Sequence, residues 1–194
     1  SIVFKLPVMS SPSLPSPLDK PLIRFPFLYV NEAEIQGFEF DASFEPTEWL
    51  QLGGSFAYTD AKYTDPLALY GGQTFYFGPY SDTPETSYSL FFNVAKDIGD
   101  MGELSLRGEL YAQDEWYYSQ SADSASPNTR IPSYELINMR AEWSGMYGTN
   151  VNLAFFARNL TEEKYFAGGN SNALTGGMNS IIPGQPRMMG VEVS

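Results

Sequence analysis

The chain has no cysteine and no histidine. Disulfides, thiolate nucleophiles, His-based triads and the usual zinc sites are thereby excluded within it. Positive charge is scarce as well. Its 11 Lys and Arg stand against 23 Asp and Glu, a net charge of -12, and no basic cluster offers the counterion release that nucleic-acid binding needs. No apolar run approaches the roughly 18 residues of a membrane helix. Residues 1–7, SIVFKLP, carry neither the basic start nor the long apolar stretch of a secretion signal. For an exported protein the expectation is then a mature piece or an internal one.

What is present is apolar material in small portions. The hydrophobic fraction is 43% and the aromatic fraction 15%, yet the mean hydropathy is -0.24. Alternation accounts for the difference. Residues 49–64 place Leu50, Leu52, Gly54, Phe56 and Tyr58 on one face and Gln51, Gly53, Ser55, Ala57 and Thr59 on the other, the period of two of a strand with unlike surroundings on its two sides. Residues 103–118 set Leu104, Leu106, Gly108, Leu110 and Ala112 against Ser105, Arg107, Glu109, Tyr111 and Gln113. Residues 25–44 (clearest from Gly37 onward), 87–96, 133–143 and 187–194 follow the same rule. Segment 150–166 starts likewise, with Val151, Leu153, Phe155 and Ala157 on one face, then enters the polar run Asn159-Leu160-Thr161-Glu162-Glu163-Lys164-Tyr165. That run reads as a strand continuing into water.

The connections alternate too: short at 45–48, 97–102 and 144–148, long at 65–86, 119–132 and 167–185. All long loops thus fall at one end of the sheet, as in transmembrane barrels. Several runs reach the 9–11 residues that cross a bilayer on a tilt, against an average of about 5–6 in soluble strands. The fold class expected is all-β, an antiparallel up-and-down meander supplying about seven strands of a transmembrane β-barrel. Trp49 and Trp143 fall near the short-turn interface and Trp116-Tyr117-Tyr118 near the opposite rim, as an aromatic girdle requires. A passive porin-type barrel and a soluble β-sandwich binding module are the alternatives. Residues 1–24, with the stretch SSPSLPSP, read as a poorly defined segment or loop.

Three segments carry a resemblance. Ala157-Arg158-Asn159-Leu160-Thr161-Glu162-Glu163-Lys164-Tyr165 resembles the NLT-acidic-x-x-Tyr stretch of TonB-dependent outer-membrane receptors. Asn31-Glu32-Ala33-Glu34-Ile35-Gln36-Gly37-Phe38-Glu39 followed by Trp49-Leu50 is similar to their EA-x-I-x-G-x-E hairpin, and Pro183-Gly184-Gln185-Pro186-Arg187 to their PG-x-PR lead into the last strand. The three occur in family order. The resemblance implies that residues 25–194 are the C-terminal strands of a 22-stranded barrel around a plug, with plug and TonB box absent here. It implies an outer-membrane receptor, not an enzyme, that imports a scarce nutrient such as a ferric siderophore with TonB-transduced energy. Its partners would be outer-membrane lipid, the TonB complex through the missing N-terminal region, and the small nutrient ligand; no cofactor is implied. The family usually adds an aromatic residue shortly after a sequence like the final VEVS. Alone, such a piece is expected to aggregate or to need detergent.

No pair of carboxylates stands out as an acid and base. Glu39, Asp41, Arg107, Glu109, Arg140 and Arg158 are expected to line the lumen, with Glu39 and Asp41 paired to the arginines. Tyr70, Phe75, Tyr76, Phe77 and Tyr80, and separately Trp116, Tyr117 and Tyr118, are the extracellular candidates for stacking on a ligand; girdle and loop packing is their competing role. Asp60, Asp65, Asp82 and Asp114 are oxygen donors too scattered to make a calcium site the first reading. Asn159-Leu160-Thr161 matches a glycosylation acceptor incidentally.

Overall fold

The computed structural model describes residues 33–64, 67–70, 73–119 and 128–194. The expectations for residues 1–32 and for Asp65 lie outside the described residues. Strands β1 (Ala33–Thr47), β2 (Leu50–Tyr63), β3 (Leu67–Tyr70), β4 (Gln73–Tyr76), β5 (Thr86–Asp97), β6 (Glu103–Gln113) and β7 (Trp116–Tyr117) are followed by β8 (Arg130–Ile131), β9 (Tyr134–Ser144), β10 (Leu153–Arg158), β11 (Phe166–Asn172), β12 (Met178–Pro183) and β13 (Met188–Val193). One antiparallel sheet runs β1-β2-β5-β6-β9-β10-β13, and the pairs β3-β4, β7-β8 and β11-β12 form two-stranded sheets in its longer connections.

The register turns the alternation of each strand into two continuous faces. Across the sheet Phe40 pairs with Phe56, which pairs with Tyr88, and Tyr88 with Ala112. One step along, Leu90 pairs with Leu110 and Leu110 with Ile137; nearer the short turns, Leu106 pairs with Ala141, Ala141 with Phe155 and Phe155 with Val191. A one-residue slip would send the opposite face of a strand, charged on β6 and β9, into this apolar row. No second layer covers it among the described residues: Phe40 is 63% exposed, Phe44 65% and Val193 70%. An apolar face this wide is normally buried against another layer or against lipid.

The short turns are firmly built. Between β5 and β6 the Asp97 carboxylate accepts the Gly99 N–H at 2.7 Å and the Ile98 N–H donates to the Gly102 carbonyl at 2.9 Å. Between β9 and β10 the Asn152 side chain accepts the Gly145 N–H at 2.9 Å. The two turns touch through Trp143, whose indole N–H donates to the Met101 carbonyl at 2.7 Å while its ring packs on Tyr147.

Two sequence expectations need correction. The polar run after β10 does not prolong the strand: the chain turns at Asn159 and Glu162, both at positive φ, because Asn159 there gains a set of hydrogen bonds that an extended strand would forgo. The run 103–118 is not one strand either. It breaks at Asp114 and Glu115, so that Trp116 and Tyr117 pair with Ile131 and Arg130. The long connections hold strand pairs of their own.

Candidate functional site

The hairpin end of the sheet holds most of the buried side chains. Ile131 is fully buried, and Thr129, Tyr118 and Phe77 nearly so. Tyr63, at the end of β2, stacks on Phe77 at 4.5 Å between ring centres and on Tyr80 at 5.2 Å. The Asp82 N–H donates to the Tyr117 carbonyl at 2.8 Å, and the Tyr118 N–H to the Thr129 carbonyl at 3.0 Å. The Tyr118 hydroxyl donates to the Asn128 carbonyl at 2.9 Å, and burial raises its pKa above the usual phenol value. Its ring also lies against Gly169 of β11, at 2.7 Å from where a Cβ would be. The segment at Tyr117 and Tyr118 therefore touches both of the other connections, and Phe77 and Tyr80 touch the wall through Tyr63.

Of the stacking candidates, Phe77 and Tyr118 are buried in this packing, whereas Tyr80, Trp116 and Tyr117 are half-buried. Tyr70 pairs with Gln73 and Phe75 with Ala68 in the β3-β4 hairpin, and Tyr76 pairs with Leu67. Sequence reasoning missed a second aromatic group, on the mixed face of the wall itself. Tyr111 packs on Tyr134 at 6.2 Å, and Tyr134 on Tyr165 at 4.5 Å. Tyr111 and Tyr134 lie at the hairpin end of neighbouring strands. The available signal was the position of Tyr111 on the polar face of β6, in line with Arg107 and Glu109. A recess of about 310 Å³ at the same end takes in Tyr134 and Glu163 together with Tyr88, Ala112 and Glu135, which the register places in the apolar row.

Further from the rim the mixed face is charged. Arg107, Glu109, Asn138, Arg140, Arg158 and Glu192 line a recess of about 230 Å³. Arg107 donates to Glu109 at 2.8 Å and lies over the Phe91 ring; Arg140 bridges Glu142 on its own strand and Glu192 on β13. Arg158 lies over the Phe156 ring at 5.9 Å. The arginines thus take Glu109, Glu142 and Glu192 in place of the expected Glu39 and Asp41, which sit on β1, with β2 and β5 between them and β6. Reach decides this: a neighbour on the same or an adjacent strand is close, and one three strands away is not. Because Arg140 keeps Glu142, Glu192→Gln is expected to change unfolding free energy by less than about 1 kcal/mol in a denaturant titration, as for other half-exposed pairs.

Asn159, which the sequence marked only as part of a motif, is 3% exposed and fully used. Its side-chain N–H groups donate to the carbonyls of Glu163 at 2.9 Å and Gln185 at 3.0 Å. Its side-chain oxygen accepts the Glu163 N–H at 2.8 Å, and its own N–H donates to Asn138 at 3.0 Å. Tyr165 covers Gly184 with its ring, accepts the Gln185 N–H through its hydroxyl at 3.2 Å, and accepts the Gly184 N–H through its carbonyl at 2.8 Å. Arg187 pairs with Glu162 at 2.9 Å. Two of the motifs singled out in the sequence are therefore two halves of one clasp. No three acidic side chains converge on a metal-sized site among the described residues.

Comparison with known proteins agrees with this architecture. The metal-pseudopaline receptor CntO of Pseudomonas aeruginosa is 26% identical over 163 residues, which is 80% of this chain and 20% of that protein. The chain thus spans about a fifth of the curated relatives it matches. Among solved structures, the ferric yersiniabactin uptake receptor FyuA of Yersinia pestis superimposes with a TM-score of 0.63 at 14% identity, over 83% of this chain and 23% of that one. The siderophore receptor PiuA of Acinetobacter baumannii does so with a TM-score of 0.62 at 18% identity, over 83% and 21%. The family model described as TonB dependent receptor-like, beta-barrel, matches residues 7–160. The meander, its two unlike faces and this match together place the chain in the TonB-dependent receptor family, as part of its β-barrel.

Proposed function

We propose that this chain forms part of the wall and outer loops of an outer-membrane receptor that binds a scarce nutrient such as a ferric siderophore and imports it with energy delivered through TonB. The apolar face then meets lipid, the mixed face lines the lumen, and the hairpin end faces the exterior. The observation that supports the reading is the tyrosine row Tyr111-Tyr134-Tyr165, which starts on the mixed face of the wall at the hairpin end. Aromatic rings in such a place give a ligand large, rigid contact area at low entropic cost.

Two measurements on the complete receptor test it. Binding of ferric siderophores to whole cells should weaken about tenfold in Tyr134→Ala, equivalent to roughly 1.4 kcal/mol; unchanged binding across a panel of such ligands would remove the row from the site. Collapsing the inner-membrane potential should stop accumulation while leaving surface binding intact. Accumulation that persists would instead favour a passive pore.

A further inference from the structure

We propose that Asn159 is the positioning residue of an external arm, residues 166–183, which it holds as one rigid unit on the wall of the barrel. This inference rests on the fold and on the clasp, and it is independent of which ligand is carried.

The arm is β11, a short helix (Ala173–Gly176) and β12. Its two ends lie side by side, with Phe166 paired to Pro183. A hairpin attached only by two adjacent ends would swing as a unit. Here both ends run directly into the clasp. Tyr165, the residue before the arm, is stacked on Tyr134 of β9, and Gly184, the residue after it, lies under the Tyr165 ring. Asn159 bonds the chain on both sides of the arm, Glu163 before it and Gln185 after it. It also ties both to β9 through Asn138, while the Leu160 N–H donates to the Ile137 carbonyl at 2.8 Å. One buried residue thus joins the approach to the arm and the departure from it through its side chain, and ties them to the wall through its own backbone N–H. A second, lateral support comes from Tyr118 against Gly169. The positive φ of Asn159 suits asparagine, and no other residue type combines that backbone with one acceptor and two donors on so short a side chain.

The test uses the intact receptor in the outer membrane of whole cells, treated with external proteinase K, with cut sites mapped by mass. In Asn159→Ala and in Gly184→Val, which drives a side chain into the Tyr165 ring, cleavage within 166–183 is expected to rise at least tenfold. Cleavage within the β3-β4 connection and the heat-dependent gel mobility of the folded barrel should stay as in the native receptor. Either variant assembling normally with an unchanged cleavage rate in 166–183 would overturn the proposal. An equal rise at both connections would do so too, since it would mark general loosening. If neither variant assembles, the clasp closes the barrel rather than positions the arm, and the proposal falls in that case as well.

Discussion

Replacing Leu106 by arginine is expected to cost the folded barrel about 2–4 kcal/mol, the penalty for a cation on the lipid face near the bilayer midplane. Ser105→Arg, one residue earlier, should cost less than about 1 kcal/mol, the scale of a surface substitution. Leu106 pairs with Val94 and Ala141 in the apolar row, next to Gly108 at the middle of the face of β6. Ser105 pairs with Ala95 and Glu142 on the other face, where a new guanidinium meets a carboxylate. The two sites are adjacent in one strand and receive the same residue, so the difference between them reads chiefly the environment of each face. Reversible unfolding of the complete barrel in lipid vesicles, followed by tryptophan fluorescence, measures both.

The second large effect is expected at the short-turn end. Gly102 has φ 100° and ψ -148°, a region essentially restricted to glycine, where a side chain costs about 1–3 kcal/mol in strain. A Cβ there would also collide with the Ser144 carbonyl oxygen and come within 2.7 Å of the Gly145 carbonyl oxygen. Both obstacles are backbone and belong to the neighbouring turn, so neither can move without disturbing the β9-β10 connection and its Trp143–Met101 hydrogen bond. Gly102→Ala should therefore destabilise by more than the strain alone, giving a clear fall in the denaturant midpoint. Gly99→Ala, a few residues away with φ 68° but no atom within 4 Å of its Cβ, should show the smaller, conformational part only.

Legibility from sequence followed the range of each interaction. Faces, strand order and the short turns are local properties: Leu104 to Gln113 alternate because each residue answers to the side on which it stands, and Asp97-Ile98-Gly99 closes a turn with its own atoms. The meander then orders the strands without further information. What failed to show was whatever depends on a partner far along the chain. Asn159 looked like an ordinary member of a polar run, since its partners include Asn138 and Gln185, each more than twenty residues away. Trp116 and Tyr117 continued the alternation of β6 by pattern, and their pairing with Ile131 and Arg130 rests on a contact across a loop. Tyr111 and Tyr134 were each visible on a strand, but their meeting with Tyr165 depends on the turn at Asn159.

The charged residues of the mixed face teach the same lesson from the energetic side. Arg107, Glu109, Arg140 and Arg158 were assigned to one face by parity, and the register brings them to one recess. Their partners were misassigned because parity fixes a face and not a distance. Glu39 and Asp41 share the face but not the neighbourhood.

The central claim is that the two faces of this sheet meet different solvents, and β6 tests it most directly. Single cysteines placed from 104 to 113 in the complete receptor, spin-labelled in a bilayer, report collision with oxygen dissolved in lipid and with a water-soluble nickel chelate. The account predicts that Leu104, Leu106, Gly108, Leu110 and Ala112 favour oxygen, and that Ser105, Arg107, Glu109, Tyr111 and Gln113 do not, in strict alternation. Equal access of the nickel chelate to both sets would mean that water wets both faces, and the membrane wall described here would be wrong.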